Sequence, residues 1–229
     1  MKTLRTYLDE HPALPRVLPF VLYIIFLAFE DVIKSVSSLG QFDTRLIYPC
    51  KVACVALLLV YFWHFYAELA KFKLRLHEVS WSLAVGVGVF LLWINLDYSW
   101  MSFGQSTGYD PRNLAGEIDW SLALSRLLGA AVVVPIMEEL FWRSFLLRWL
   151  AHSKFLNVSP AQVGLRALLI SSVMFGMEHA LWLAGIIAGF AYSWLYMKSK
   201  NLWSSVVAHA TTNGLLGLWV LYTGQWHFW

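Results

Sequence analysis

Charge is what this sequence has least of: 14% of its 229 residues are Asp, Glu, Lys or Arg, while 59% are hydrophobic, and a water-soluble domain carries about 25% charged residues. That shortage excludes a soluble fold, because an aqueous core cannot absorb so much apolar surface. The apolar runs recur so closely that no stretch is left for a linker or a separate aqueous domain, and 1–229 reads as a single membrane domain. Cysteine is equally scarce. The two thiols, Cys50 and Cys54, stand four apart on one helical face. That suits neither a disulfide nor, without further ligands, a metal site, and they read as buried, inert side chains. The net charge is only +3, and no basic block longer than Lys71-Phe72-Lys73-Leu74-Arg75 occurs. Nucleic acid is thereby excluded as a partner, and the short basic cluster reads as a cytoplasmic membrane flank. A removable signal peptide is also missing from the pattern. The first apolar run follows Asp9 and Glu10 and lacks a small-residue cleavage site, so the first span is expected to stay.

Long apolar runs and aromatic rings are abundant. Trp 13, Tyr 10 and Phe 15 fit a bilayer, where amphipathic rings gather at the headgroup level. A helix crosses the hydrocarbon with about 20 apolar residues. Candidate spans are 18–36, 46–69, 79–96, 120–150, 161–180, 181–197 and 202–223. The fold class is therefore an all-α integral membrane protein: a bundle of about seven transmembrane helices, eight being the alternative count, around a polar cavity. Pro135 sits inside the overlong fourth run and should bend that helix or release a carbonyl just before Glu138. Gly185 and Gly189 form a GxxxG pair that reads as close helix packing. Lys/Arg bias places Lys2, Arg5, Arg16, Lys71, Lys73, Arg75, Arg148, Lys154, Lys198 and Lys200 on the cytoplasmic side, which puts the N-terminus inside and the C-terminus outside a multi-pass cell-membrane protein. The lipid bilayer is its first partner.

Ionisable groups within a span cost several kcal/mol and face the bundle interior. Three clusters stand out. In Glu138-Glu139-Leu140-Phe141-Trp142-Arg143, Glu139 and Arg143 are four apart and pair on one face. Glu138 lies about 100° around the helix and points elsewhere, so it stays available to accept a proton. In Phe175-Gly176-Met177-Glu178-His179, the Phe175 ring stands one turn from the imidazole and can orient it by packing. In His209-Ala210-Thr211-Thr212-Asn213, an imidazole and a carboxamide share a face and can both donate into one space. Together they supply a carboxylate base, a water-positioning imidazole and two neutral donors for a developing oxyanion, which suffices to hydrolyse an amide without a Ser or Cys nucleophile.

Several catalytic signatures are absent. A zincin needs His-Glu-x-x-His, and His77-Glu78 is not followed by a second His. The Gly-x-Gly-Asp of an aspartyl intramembrane protease is missing. Gly104-Gln105-Ser106-Thr107-Gly108 matches a nucleophile elbow in letters, but it lies in a polar loop rather than between a strand and a helix.

The order Glu-Glu-x-x-x-Arg, Phe-x-x-x-His, His-x-x-x-Asn, covering about Val133 to Leu215, resembles the CPBP family of CAAX prenyl protease-related (Abi-type) intramembrane proteases, within a motif-bearing core of about 120–223. The resemblance implies a helical membrane bundle with a water-filled cavity and endopeptidase cleavage of a short C-terminal or membrane-proximal peptide. The substrate would be a peptide or protein, including one with a membrane-anchored or lipidated C-terminus. By that resemblance Glu138 and His179 activate water, His209 and Asn213 stabilise the oxyanion, and Glu139 and Arg143 brace the site. Glu178 is not part of the motif; it either competes as base or lies on the opposite face. No cofactor is expected. Zinc, held by Glu138, His179 and His209, is the less favoured alternative, because an amide is a poor zinc ligand. For the site to assemble, the turn after His179 must dip into the bilayer. A proton-coupled or small-solute transporter, and a non-catalytic immunity or assembly factor, are the competing readings.

Overall fold

The computed structural model describes residues 4–37, 43–70, 72–104 and 108–229. Lys2 and Lys71 of the basic flank, and the central Gln105-Ser106-Thr107 of the elbow-like string, lie outside the described residues. Among the described residues eight helices follow one another: α1 (Leu4–Glu10), α2 (Ala13–Ser37), α3 (Ile47–Tyr61), α4 (Leu76–Asn95), α5 (Trp120–Leu147), α6 (Leu165–Met177), α7 (Trp182–Ser199) and α8 (Leu202–Thr223). No strand occurs among the described residues; a single isolated bridge joins Arg112 to Ile118 in the loop before α5. α2, α3, α4 and α5 are long and apolar enough to cross a membrane, and α6 is a shorter apolar helix. The chain is an all-α integral membrane bundle.

Helix ends follow local chemistry. Asp119 caps α5 by accepting from the Ser121 and Leu122 amides at 3.0 and 3.3 Å. The Ser121 hydroxyl bonded to it helps hold its carboxyl below the usual aspartate range. Asn201 caps α8 through the Trp203 amide at 3.1 Å. Gly224 closes α8 at φ 70°, the left-handed conformation that glycine adopts without strain.

Two runs are shorter as helices than hydropathy predicts. The second run reaches 69, but α3 ends at Tyr61. Phe62, Tyr66 and Leu69 are instead buried under the bundle floor, and an apolar loop packed inward looks like a span to a hydropathy reading. There Glu68 is clasped by Arg16 at 2.7 Å and by Arg148 at 3.4 Å, with the Ser144 hydroxyl donating to the same carboxylate. The 161–180 run yields only the thirteen residues of α6, about 20 Å at 1.5 Å per residue, and a turn at 178–181 leads into α7.

The cysteines also differ from expectation: both are exposed. α3 buries Tyr48, Lys51, Val55 and Leu59, a stripe at helical spacing that leaves positions 50 and 54 on the outer face, where lipid rather than a core accommodates a thiol.

α6 and α7 pack closely because both faces are small. A Cβ on Gly185 would stand 2.9 Å from the Gly176 Cα, and one on Gly189 would stand 3.0 Å from the Ser172 Cα. This is the contact that the Gly185/Gly189 spacing announces. α8 runs through the middle of the bundle against α4, α5 and α7. Its Thr212 hydroxyl donates to the Gly86 carbonyl of α4 at 2.8 Å, and the Tyr192 phenol of α7 donates to Thr212 at 2.7 Å.

Candidate active site

α5 is not a uniform helix. Its turns widen to π spacing at Gly129–Val133 and again at Leu140–Leu147. In the first wide turn the Val134 amide bonds the Gly129 carbonyl, five residues back. The next bond in that register would run from residue 135 to Ala130, and Pro135 has no N–H to make it. The Ala130 carbonyl thus freed accepts the Asn213 carboxamide of α8 at 2.9 Å. Pro135 does release a carbonyl, and that carbonyl anchors Asn213.

Past this irregularity the two glutamates part ways. Glu139 is fully buried, with its Oε1 3.0 Å from Arg143 Nη1. The guanidinium lies 4.4 Å from the Phe175 ring centroid and 5.3 Å from that of Tyr192, a cation–π sandwich that offsets part of the cost of burying it. The same Glu139 oxygen stands 2.9 Å from His209 Nδ1, a contact spanning 70 residues that the sequence pattern does not announce. An ionised carboxylate only accepts hydrogen bonds, so His209 carries a proton on Nδ1 and turns Nε2 elsewhere. That Nε2 lies 4.0 Å from Glu138 Oε2. The two neighbouring glutamates therefore flank opposite nitrogens of one imidazole, and Tyr192 stacks on the ring at a centroid distance of 4.9 Å.

His179 lies just beyond the end of α6. Its Nδ1 donates to the Phe175 carbonyl at 2.7 Å; a carbonyl accepts only, so in the neutral ring Nε2 keeps a free lone pair. The Phe175 ring packs on the imidazole at 4.6 Å, and Trp93 meets it edge-on at 5.3 Å. Glu178 is engaged by the Trp142 indole N–H at 3.2 Å and does not line the cavity described next.

Glu138, His179, His209 and Asn213 all line one cavity of about 190 Å³ inside the bundle, as do Phe175 and Thr212. Glu139 and Arg143 stand behind its wall. The walls also include Tyr23, Tyr48, Trp93 and Arg126, none of which the motif reading singles out. Arg126 carries a readable signal, a lone cation within an apolar span; the tyrosines carry none, since a phenol in a span is ordinary. Asn213 departs from expectation in one respect: one amide hydrogen is committed to Ala130, which leaves the other for the cavity. Among the described residues no group of three His, Cys, Asp or Glu side chains is placed to hold a metal ion.

Residues 120–215 match the profile of a family described as Rce1-like, type II CAAX prenyl endopeptidase. Over 86 residues the chain is 31% identical to the UPF0177 protein YxdF of Lactococcus lactis subsp. lactis (strain IL1403), covering 36% of this chain and 42% of that protein. The chain thus spans about two fifths of the length of the curated relative it matches. No solved structure matches. The matched segment holds every motif residue from Glu138 to Asn213, and over that segment the chain is similar to the Rce1-like family of type II CAAX prenyl endopeptidases.

Proposed function

We propose that this protein is an intramembrane endopeptidase of the CAAX-protease type that cleaves a peptide bond with water activated by Glu138 and His179. The observation that carries the reading is the convergence of Glu138, His179, His209 and Asn213, from three helical regions, on one cavity. Packing alone gives four separate polar groups no reason to meet.

The chemistry follows from the hydrogen-bond constraints. A water between Glu138 and the Nε2 lone pair of His179 gives up its proton as its oxygen attacks the peptide carbonyl carbon. The carbonyl π pair moves onto oxygen. His209, supported on Nδ1 by Glu139, takes the water's proton from Glu138 onto Nε2, which lies 4.0 Å from Glu138 Oε2, and donates it to the oxyanion, while the remaining Asn213 N–H is the other donor. Collapse of the tetrahedral intermediate breaks the C–N bond, and that same proton returns through Glu138 or His179 to the departing amine. The substrate is a membrane-proximal peptide, and the N-terminus lies on the cytoplasmic side.

The test is cleavage by purified protein in proteoliposomes. Glu138→Gln keeps the shape and removes the base, so turnover should fall about 10²–10⁴-fold with an unchanged thermal midpoint; full activity in that variant would refute the glutamate role. The wild-type rate should also survive prolonged chelation, and activity restored only by added metal would overturn metal-free water activation.

A further inference from the structure

Arg126 is a cation that the proposed reaction leaves unused. It lies on α5, Nε is buried without a hydrogen-bond partner, and no carboxylate among the described residues pairs with it. Its polar surroundings are the phenols of Tyr23 and Tyr48, and its guanidinium carbon stands 4.2 Å from the Tyr48 ring centroid and 5.8 Å from that of Tyr109. Aromatic faces offset part of the cost of an unpaired guanidinium in a membrane protein. The two phenols hydrogen-bond part of the guanidinium, but Nε is left without a partner, and the guanidinium fork is shaped for a carboxylate.

Arg126 faces two spaces at once. It lines the cavity that holds Glu138, and it lines a second cavity of about 340 Å³ together with Tyr23, Tyr48, Tyr109 and Lys51. Two acids also border that second space, but both face other cations. Glu30 stands 3.8 Å from Lys51 Nζ, and Asp110 is held by Arg112 at 2.5 Å. On α5 itself, Arg126, Ala130, Val134 and Glu138 recur every four residues and all line the site cavity. The intervening π turn holds this +4 stripe on one side of the helix. A small and an apolar side chain therefore form a trough with a cation at one end and the water-activating carboxylate at the other.

We propose that Arg126 is a specificity residue that takes a carboxylate of the peptide substrate, from a chain terminus or an acidic side chain, while the scissile bond lies at Glu138. This inference rests on the protease reading. The twelve residues from Arg126 to Glu138 rise about 18 Å. An extended peptide covers that distance in about five residues, so the bond cut lies within about five residues of the carboxylate.

The experiment uses N-terminally palmitoylated, degenerate-sequence peptides in proteoliposomes, in three sets. One ends in a carboxylate, one in a carboxamide with no acidic residue, and one in a carboxamide with a single Glu at varied positions. Products are mapped by mass spectrometry for wild type, Arg126→Gln, Arg126→Lys and Glu138→Gln. The wild type should cut at least one of the two carboxylate-bearing sets at least tenfold faster than the acid-free amide, with fragments that keep the carboxylate within about five residues of the cut. Which of those two sets is preferred identifies the source. Arg126→Gln should erase the preference, bringing the rate ratio between the carboxylate-bearing and acid-free sets to about one, and Arg126→Lys should keep part of it. Equal cleavage of all sets by wild type overturns the role of Arg126 and leaves the protease reading standing, even if the Arg126 variants fail to fold. Cleavage of no set above the Glu138→Gln background overturns both.

Discussion

His209 shows how much one contact decides at the scale of a residue. Its imidazole draws its orientation from Glu139, whose charge is in turn balanced by Arg143 at 3.0 Å. Removing the guanidinium leaves a carboxylate buried without a counter-charge, which costs about 3–5 kcal/mol. Arg143→Met should accordingly lower the thermal midpoint strongly, and adding Glu139→Gln to it should recover part of the loss, since the second change removes the stranded charge. If the double variant melts no higher than Arg143→Met, the pair is not the source of that stability. The Glu139–Arg143 pairing is legible in the sequence, because four-residue spacing on a helix brings side chains together. The Glu139–His209 contact is not, because nothing local links α5 to α8. Arg126 stands out in the sequence as an isolated charge in an apolar run, yet it matches no motif and lies apart from the clusters that do.

Elements set where those residues point. Helices α2 to α8 are legible because each falls within an apolar run, and four of them, α2 to α5, are long and apolar enough to cross a membrane. What hydropathy misses is where a run stops being helix, as at Tyr61, and where a helix changes pitch. The wide turn at Gly129–Val133 has no compositional signature, although Pro135 marks its consequence, a free carbonyl for Asn213. The α6–α7 hairpin is the opposite case, since paired glycines announce close packing and the structure has it. His179 leaves α6 inside this hairpin, so its placement depends on the helix separation. Gly189→Leu would drive a side chain into the Ser172 backbone, with a first contact at 3.0 Å. It should cost about 1–3 kcal/mol by overpacking and reduce turnover by moving His179. Gly88→Leu, where an added Cβ meets nothing within 4 Å, serves as the control and should behave as wild type. Equal melting of the two variants would show that the hairpin is not tightly constrained.

Taken as a whole, the molecule presents residues 97–104 and 108–119, the turn at 178–181 and the C-terminal residues at one end, and the basic segments around Arg75 and Lys200 at the other. The proposed orientation puts the basic end in the cytoplasm. With Cys50 and Cys54 changed to Ser, Leu114→Cys in the exposed loop should react with a membrane-impermeant maleimide added to intact cells; reaction only after permeabilisation would invert the orientation. The thirteen residues of α6 carry a further consequence for the surrounding lipid. A helix of about 20 Å set against a hydrocarbon slab of about 30 Å is a hydrophobic mismatch, and the bilayer answers by thinning beside it or by letting water down to the turn. A local dimple would bring the aqueous boundary toward His179 and shorten the path that water and an extended peptide must travel. Turnover should therefore rise in liposomes of shorter-chain phosphatidylcholine and fall as the acyl chains lengthen at constant fluidity. A rate indifferent to chain length would mean that the protein carries its own water-filled approach and leaves the surrounding membrane flat.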